Sequence, residues 1–397
     1  MRSSLAATKV RYRPHDAYAA LENAEATLSR SLCGGEAETN RLYAKGVSGQ
    51  DGAMRLFTSL PQEDLRKCHT RAQEIDAAGY TGVSTQENRH DPFLSLAVAG
   101  VATRRIELHT SVAISFPRSP MVAANVGWDI AASTCGRFTL GLDSQIRAHN
   151  EKRFSVPWTP PAPRMREYIQ AVRAIWQAWK GDGKLRYEGK HYKFTLMTPN
   201  FVPENYAAPA PRIGLAAVGP AMMKVAAEES DNVKLHVFCT KKYMENRVLP
   251  VIAEGLAKSG RTREQFEISG GGFLVTGKDD EAVQKLFDWV RYRVAFYGST
   301  PAYWPVFEEH GLHELGPKLN AMTKAGQWDK IAGDVSDDVV HLFSAVGRHD
   351  QIAKAVEARF GGLVDSISAS ASSTKPSDLP PGLIQDIQKL PTRYRAS

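Results

Sequence analysis

Arg212-Ile213-Gly214-Leu215-Ala216-Ala217-Val218-Gly219-Pro220-Ala221-Met222 contains one complete strand-to-helix transition. Arg212–Ala217 reads as a short strand, Gly219 permits a tight turn, and Pro220 suits the first position of a helix running to Glu229. Small residues at Ala216 and Ala217 let a ligand approach the backbone. The unpaired amides at the helix start, with the helix dipole behind them, form an anion site. A turn with no ligand would carry the same Gly-Pro pair, so the motif leaves phosphate binding and a purely structural role open.

The same unit recurs in both directions. Upstream, Arg55–Ser59 reads as a strand, and Pro61, Glu63 and Asp64 mark a helix entry whose apolar face is Leu65, Cys68, Ala72 and Ile75, closed by Gly79. Strands follow at Gly82–Gln86, Ile106–Ser115 and Phe138–Leu142, with a helix from Pro120 to Thr134. Met165, Tyr168, Ile169, Val172, Ile175, Trp176 and Trp179 keep helical spacing and read as core packing. Downstream come strand Asn232–Phe238, helix Tyr243–Lys258, strand Phe266–Thr276, a helical region Asp279–Phe296, helix Asp350–Phe360 and strand Leu363–Ile367. Eight strands alternating with helices over residues 54–368 predict an α/β fold, a (β/α)8 TIM barrel with insertions. A doubly wound sheet is the alternative, and the first strand–helix turn lacks the GxGxxG that would support it.

Both ends differ from this core. Residues 1–53 are weakly patterned and read as an N-terminal extension, with Met54 opening the folded domain. After Ile367 the composition SASASSTKPSDLPPG reads as a linker, so 369–397 is expected to be a tail. Residues 181–205 interrupt the rhythm as an inserted hairpin or long loop. The chain has 397 residues, 43% of them hydrophobic, with a formal net charge of +7. That composition fits a soluble globular protein, and the missing apolar run and signal sequence lead to a cytoplasmic expectation without membrane contact. The positive charges are spread out, which argues against a nucleic-acid partner and allows mild steering of an anionic ligand. Cys33, Cys68, Cys135 and Cys239 are too dispersed for a disulfide scaffold or zinc site, and His310 and His313 lack partners at ligand spacing, so no metal is expected.

In such a barrel the chemistry sits at the C-terminal strand ends. Polar residues gather there: Gln86 to Asp91, Thr110-Ser111, Asp143-Ser144-Gln145 with Arg147 and His149 beyond, and His236. Leu108-His109-Thr110-Ser111-Val112, Pro120, and Cys135-Gly136-Arg137-Phe138-Thr139-Leu140-Gly141-Leu142 together resemble the bacterial luciferase-like flavin and deazaflavin oxidoreductases. Leu215-Ala216-Ala217-Val218-Gly219-Pro220 resembles the phosphate loop of their coenzyme F420-dependent branch. Glu87–Phe93, Ala295–Tyr303 and Phe360–Asp365 are similar to one F420-associated subgroup.

The resemblance implies hydride transfer between coenzyme F420 and an unknown organic substrate, with an FMN-dependent monooxygenase on the same fold as the alternative. It implies a non-prolyl cis peptide at Ser111-Val112 in a bulge behind the ring, and a phosphate on the amides of Val218 and Gly219. Ala217, Ser144 and His236 complete the cofactor contacts it implies, although a lone strand histidine is equally open to a structural role. Glu87 and Asn88 match positions where relatives place an acid and a histidine. Because this chain has Asn88 there, His90 becomes the catalytic candidate beside them. Gln145, His149 and Tyr303 would face substrate. Asp143 stands where many relatives have Gly, and would reshape the pocket, orient Arg147 or weaken cofactor binding. A homodimer or higher homo-oligomer is implied as well.

Trp158, Tyr187, Tyr192, Phe194, Tyr297, Tyr303 and Trp304 point to an apolar or ring-bearing small-molecule substrate, with a core or lid role equally open. Outside the redox class, Lys234 raises a Schiff-base reading. Its place well before the strand end favours a side chain reaching solvent. An inactive cofactor-binding protein remains the last alternative, because of Asp143.

Overall fold

The computed structural model describes residues 52–181, 183–203, 210–370 and 377–395. All but the last two residues of the expected extension 1–53 lie outside them. In chain order the strands are β1 (Arg55–Ser59), β2 (Gly82–Thr85), β3 (Glu107–Thr110), β4 (Ala113–Ile114), β5 (Phe138–Asp143), β6 (Tyr187–Glu188) and β7 (Lys193–Phe194). They continue with β8 (Arg212–Ala217), β9 (Asn232–Leu235), β10 (Glu267–Gly270), β11 (Phe273–Gly277), β12 (Ser344–Arg348) and β13 (Ser366–Ser368). Eight of them, β1-β2-β3-β5-β8-β9-β10-β13, pair in parallel and close into a barrel through β13 and β1. β4 carries the third strand on beyond a bulge and pairs with β5. The expected barrel is therefore the fold.

Each strand offers its two faces to different surroundings. Leu56, Leu108, Leu140, Ile213, Val233 and Ile268 are fully buried between the barrel and its helices, the usual apolar shell of parallel strands. The alternate positions carry Arg55, Glu107, His109, Arg212, Lys234 and Glu267. Contacts of Arg55 (β1) with Glu107 (β3), and of Lys234 (β9) with His109 (β3), join strands that are not neighbours. Such contacts are possible only across the lumen, so the barrel interior is charged.

The expected elements need three corrections. Residues 266–276 form two strands, because Gly270 and Gly271 take positive φ values of 88° and 89°. There the chain leaves the barrel, and β11 pairs instead with β12. The helices Leu94–Ala102, Trp304–Glu308, Leu315–Lys324 and Asp337–Phe343 were not expected either. Finally, the expected tail packs on the barrel. Helix Pro381–Gln388 buries Leu383, Ile384 and Ile387, Leu379 and Tyr394 are also buried, and the Arg55 and Arg212 guanidiniums lie over the Tyr394 ring. Polar Ser/Pro composition next to this segment hid its i, i+3, i+4 apolar spacing.

Helix Pro161–Trp179 buries the expected Trp-bearing stripe. The 181–205 insertion contains the antiparallel hairpin β6–β7. Cys68 and Cys239 are buried free thiols.

Candidate active site

The bulge after β3 builds one wall of the barrel mouth. The Ser111-Val112 peptide is cis, as the resemblance implied. Three backbone bonds hold the bulge around it: Ser111 N donates to Thr85 O at 2.6 Å, Glu87 N to Val112 O at 3.1 Å, and Ser115 N to Asp143 O at 2.9 Å. The Glu87 carboxylate accepts from Ile114 N at 2.7 Å and from Arg118 Nη1 at 2.6 Å. Arg118 also donates to Ile114 O and to Asp91, whose other oxygen accepts from Phe93 N at the head of helix Leu94–Ala102. Glu87 thus faces the bulge backbone as a positioning group. Arg118, which sequence reading missed, is its partner.

Asn88 and His90, the two other catalytic candidates, separate from Glu87. Both are exposed on the loop after β2. Asn88 Oδ1 accepts from Arg89 N at 2.6 Å, and its carbonyl accepts from Arg153. Ser111 and Val112 are half-buried at the bulge.

Across the mouth, β5 ends at Asp143. Burial raises the Asp143 carboxyl above its ordinary range, while hydrogen bonds from the amides of Gln145 and Ser144 pull the other way. Gln145 takes a left-handed φ of 55° to make this turn. Arg147 pairs with Glu151 at 3.0 Å instead of with Asp143, so Asp143 does not orient it. His149 is exposed, and Ser144 offers its carbonyl to Asn150 Nδ2 at 2.9 Å.

The β8 turn leaves Gly219 exposed at the head of helix Pro220–Glu229, with no side chain capping the helix. Among the described residues, no atom beyond its two chain neighbours lies within 4 Å of where a Gly219 Cβ would stand. Ala217 is buried below and Val218 is half-buried beside it.

Just beyond β9, His236 Nδ1 accepts from Phe238 N at 3.0 Å. That bond leaves the ring proton on Nε2. Burial, and secondarily the Arg293 charge, lowers the His236 pKa to about 4, so the imidazole is neutral. Its ring packs against Tyr297 (centroids 4.4 Å) and Tyr303 (4.8 Å). Burial, then Tyr297 and Asp143, raises the Tyr303 phenol, which keeps its proton. Arg293 donates to the Tyr297 hydroxyl and lies over the Phe296 and Tyr297 rings.

The aromatics read as substrate-facing therefore divide. Tyr297 and Tyr303 meet His236 at the mouth. Tyr187 hydrogen-bonds Gln170, Tyr192 packs edge-on against buried Tyr168, and Trp304 donates to Gly298 O. These three serve packing. Lys234 enters the lumen and reaches His109 at 3.3 Å while remaining half-buried. Polar residues at alternating strand positions were the signal that could have shown this. Among the described residues no three His, Cys, Asp or Glu side chains gather as a metal site, and His310 bonds Thr240 at 2.8 Å. No helix among them is long and apolar enough to cross a membrane.

The profile of the luciferase-like monooxygenase family matches residues 45–366. The chain belongs to that family. Among its relatives is an uncharacterized protein of Mycobacterium tuberculosis, 43% identical over 314 residues, covering 79% of this chain and 92% of that protein. The 5,10-methylenetetrahydromethanopterin reductase of Archaeoglobus fulgidus is 28% identical over 315 residues, covering 76% and 88%. Among solved structures, the coenzyme F420-dependent tetrahydromethanopterin reductase of Methanopyrus kandleri superposes with a TM-score of 0.65 at 19% identity, covering 86% of this chain and 99% of that one. The luciferase-like barrel thus spans nearly all the strands described above.

Proposed function

We propose that this luciferase-like protein transfers hydride between coenzyme F420 and a small organic substrate. The carrying observation is the open head of helix Pro220–Glu229, where Gly219 has extended backbone (φ −89°) and clear space around it. The amides of Val218 and Gly219 would hold the cofactor phosphate there. Ser111, Val112, Ser144, Ala217 and His236 would border its ring, a polar and small-residue surround that fits a flat, phosphate-bearing group. When bound, the cofactor supplies the two-electron hydride chemistry.

The chain's own residues orient and exclude. Glu87 and Arg118 hold the bulge wall in place. His236 presents Nε2–H and Tyr303 presents O–H as hydrogen-bond donors, and the Tyr297 and Tyr303 rings keep water from the mouth. Proton exchange with substrate belongs to Asp143, whose carboxyl burial raises above its ordinary range, while the Tyr303 phenol keeps its proton and acts as a hydrogen-bond donor. His90, Gln145 and His149 would approach substrate only from the rim. The names of the similar reductases support F420. The breadth of a monooxygenase family supports FMN as the second reading.

Titrating the purified protein with F420 and with FMN, by fluorescence quenching, separates the two. F420 binding at about micromolar Kd without FMN binding is expected. FMN binding alone moves the assignment to the monooxygenase reading, and binding of neither overturns both. Gly219→Trp strains no backbone, so it should weaken cofactor binding about tenfold or more at unchanged Tm.

A further inference from the structure

The barrel lumen carries more positive than negative charge, and the excess lies directly below the mouth. At its lower end Arg55 pairs with Glu107 and, at 2.6 Å, with Glu267, while Arg212 reaches Glu267 at 3.0 Å. Two guanidiniums thus meet two carboxylates. Higher up, Lys234 extends from β9 across the lumen to β3, where Nζ donates to His109 Nδ1 at 3.3 Å. The other nitrogen of His109 lies 3.0 Å from Glu107 Oε2. An ammonium can only donate, so Nδ1 is unprotonated and Nε2–H donates to Glu107. The imidazole is neutral, and burial, with the Lys234 charge second, lowers its pKa to about 4.

Lys234 therefore keeps its charge without a carboxylate within ion-pair distance among the described residues. The strand opposite is shaped for it: a Cβ on Gly141 would stand 3.0 Å from the Lys234 Cε. Two residues before Lys234 on β9, both amide atoms of fully buried Asn232 lack hydrogen-bond partners among the described residues. His109 and Lys234 lie two residues before Ser111 and His236, so they form the next inward layer beneath the mouth. Lys234 is half-buried, and a cation drawn partly out of water without a counter-ion is a place for an anion to bind.

We propose that Lys234 is the electropositive floor of the ring site, favouring the anionic form of a bound deazaflavin or flavin ring. The inference rests on the cofactor reading above and adds to it the charge state of the ligand. A deazaflavin that bears a phenolic hydroxyl, and a flavin in its reduced form, ionise in the neutral range and spread the charge over the ring system, so a fixed ammonium beneath them shifts that ionisation toward lower pH. The groups facing Lys234 are His109 and Glu107 from β3, Glu267 from β10, Arg55 from β1 and Arg212 from β8. Burial brings the Lys234 pKa down to about 8, with Glu267 opposing and Arg55 and Arg212 adding to the fall. The floor loses its charge above that pH.

The test is the visible absorption spectrum of bound F420 against pH, in wild type, Lys234→Arg and Lys234→Met. Wild type and Lys234→Arg should hold the chromophore anionic to lower pH than free cofactor. Lys234→Met should raise the apparent ionisation by about one unit and weaken binding about tenfold. A folded Lys234→Met protein with an unmoved ionisation overturns the proposal while leaving cofactor binding intact. If that variant fails to fold, Lys234→Gln takes its place, and an ionisation unmoved in folded Lys234→Gln protein overturns the proposal. Failure of both F420 and FMN to bind overturns this inference together with the functional reading beneath it.

Discussion

The outward and inward faces of the same eight strands are built on opposite principles. Outside, Leu140, Ile213 and Val233 press against helices, and any apolar side chain of similar volume would do much the same work. Inside, Arg55, Glu107, Arg212 and Glu267 are matched group to group, and removing one leaves another charge stranded. The apolar face supplies stability, while the charged face supplies a defined electrostatic environment under the mouth. A barrel filled with Val, Ile and Leu would be cheaper to fold, so the charged lumen points to a task at its open end.

The largest effect should come from Glu267→Ala. It leaves the buried Arg55 and Arg212 guanidiniums without their shared partner, and a loss of about 3–5 kcal/mol is expected in urea unfolding. A loss below about 1 kcal/mol would mean that the lumen is hydrated like a surface, and the contrast between the faces would collapse. Leu140→Ala tests the other face. It should cost about 3 kcal/mol, within the range for a buried leucine, with no change in the shape of the pH profile.

That profile comes next. Glu107 is held down to about 2, Arg55 and the His109 hydrogen bond overcoming its burial. Its contribution is complete above its ordinary value of 4.5 and is lost as pH falls through about 2. His109 is lowered from 6.5 to about 4, so the unfolded chain takes up its proton first, and stability falls as pH drops from 6.5 toward 4. His109→Gln should flatten that upper limb by about 1–2 kcal/mol in unfolding measured at pH 7 and pH 4.5. An unchanged slope would show that other groups control it. Smallest of all, Arg147→Ala removes an exposed pair with Glu151 and should change stability by less than about 0.5 kcal/mol.

The strand–helix beat was legible because both of its signals are local. Gly79 and Gly219-Pro220 mark turns by their backbone freedom, and the Met165–Trp179 stripe marks a helix by spacing alone. The break at Gly270-Gly271 was not legible. Phe266–Thr276 is apolar on both sides of the glycines, and only competition between β13 and β12 for partners divides it. For the site, the bulge residues Ser111 and Val112 and the turn at Val218-Gly219 lie at the mouth, where strand ends must come. The contact of Glu87 with Arg118 was not legible, since 31 positions separate them.

Residue order by itself determined the repeated unit and its number, because periodicity and turn geometry act over a few residues. Only the tertiary structure decided which charges meet. Lys234 and His109 are 125 positions apart, and nothing in either neighbourhood specifies the other. Closure of the barrel puts both side chains in one lumen, where each must find a partner or face a ligand.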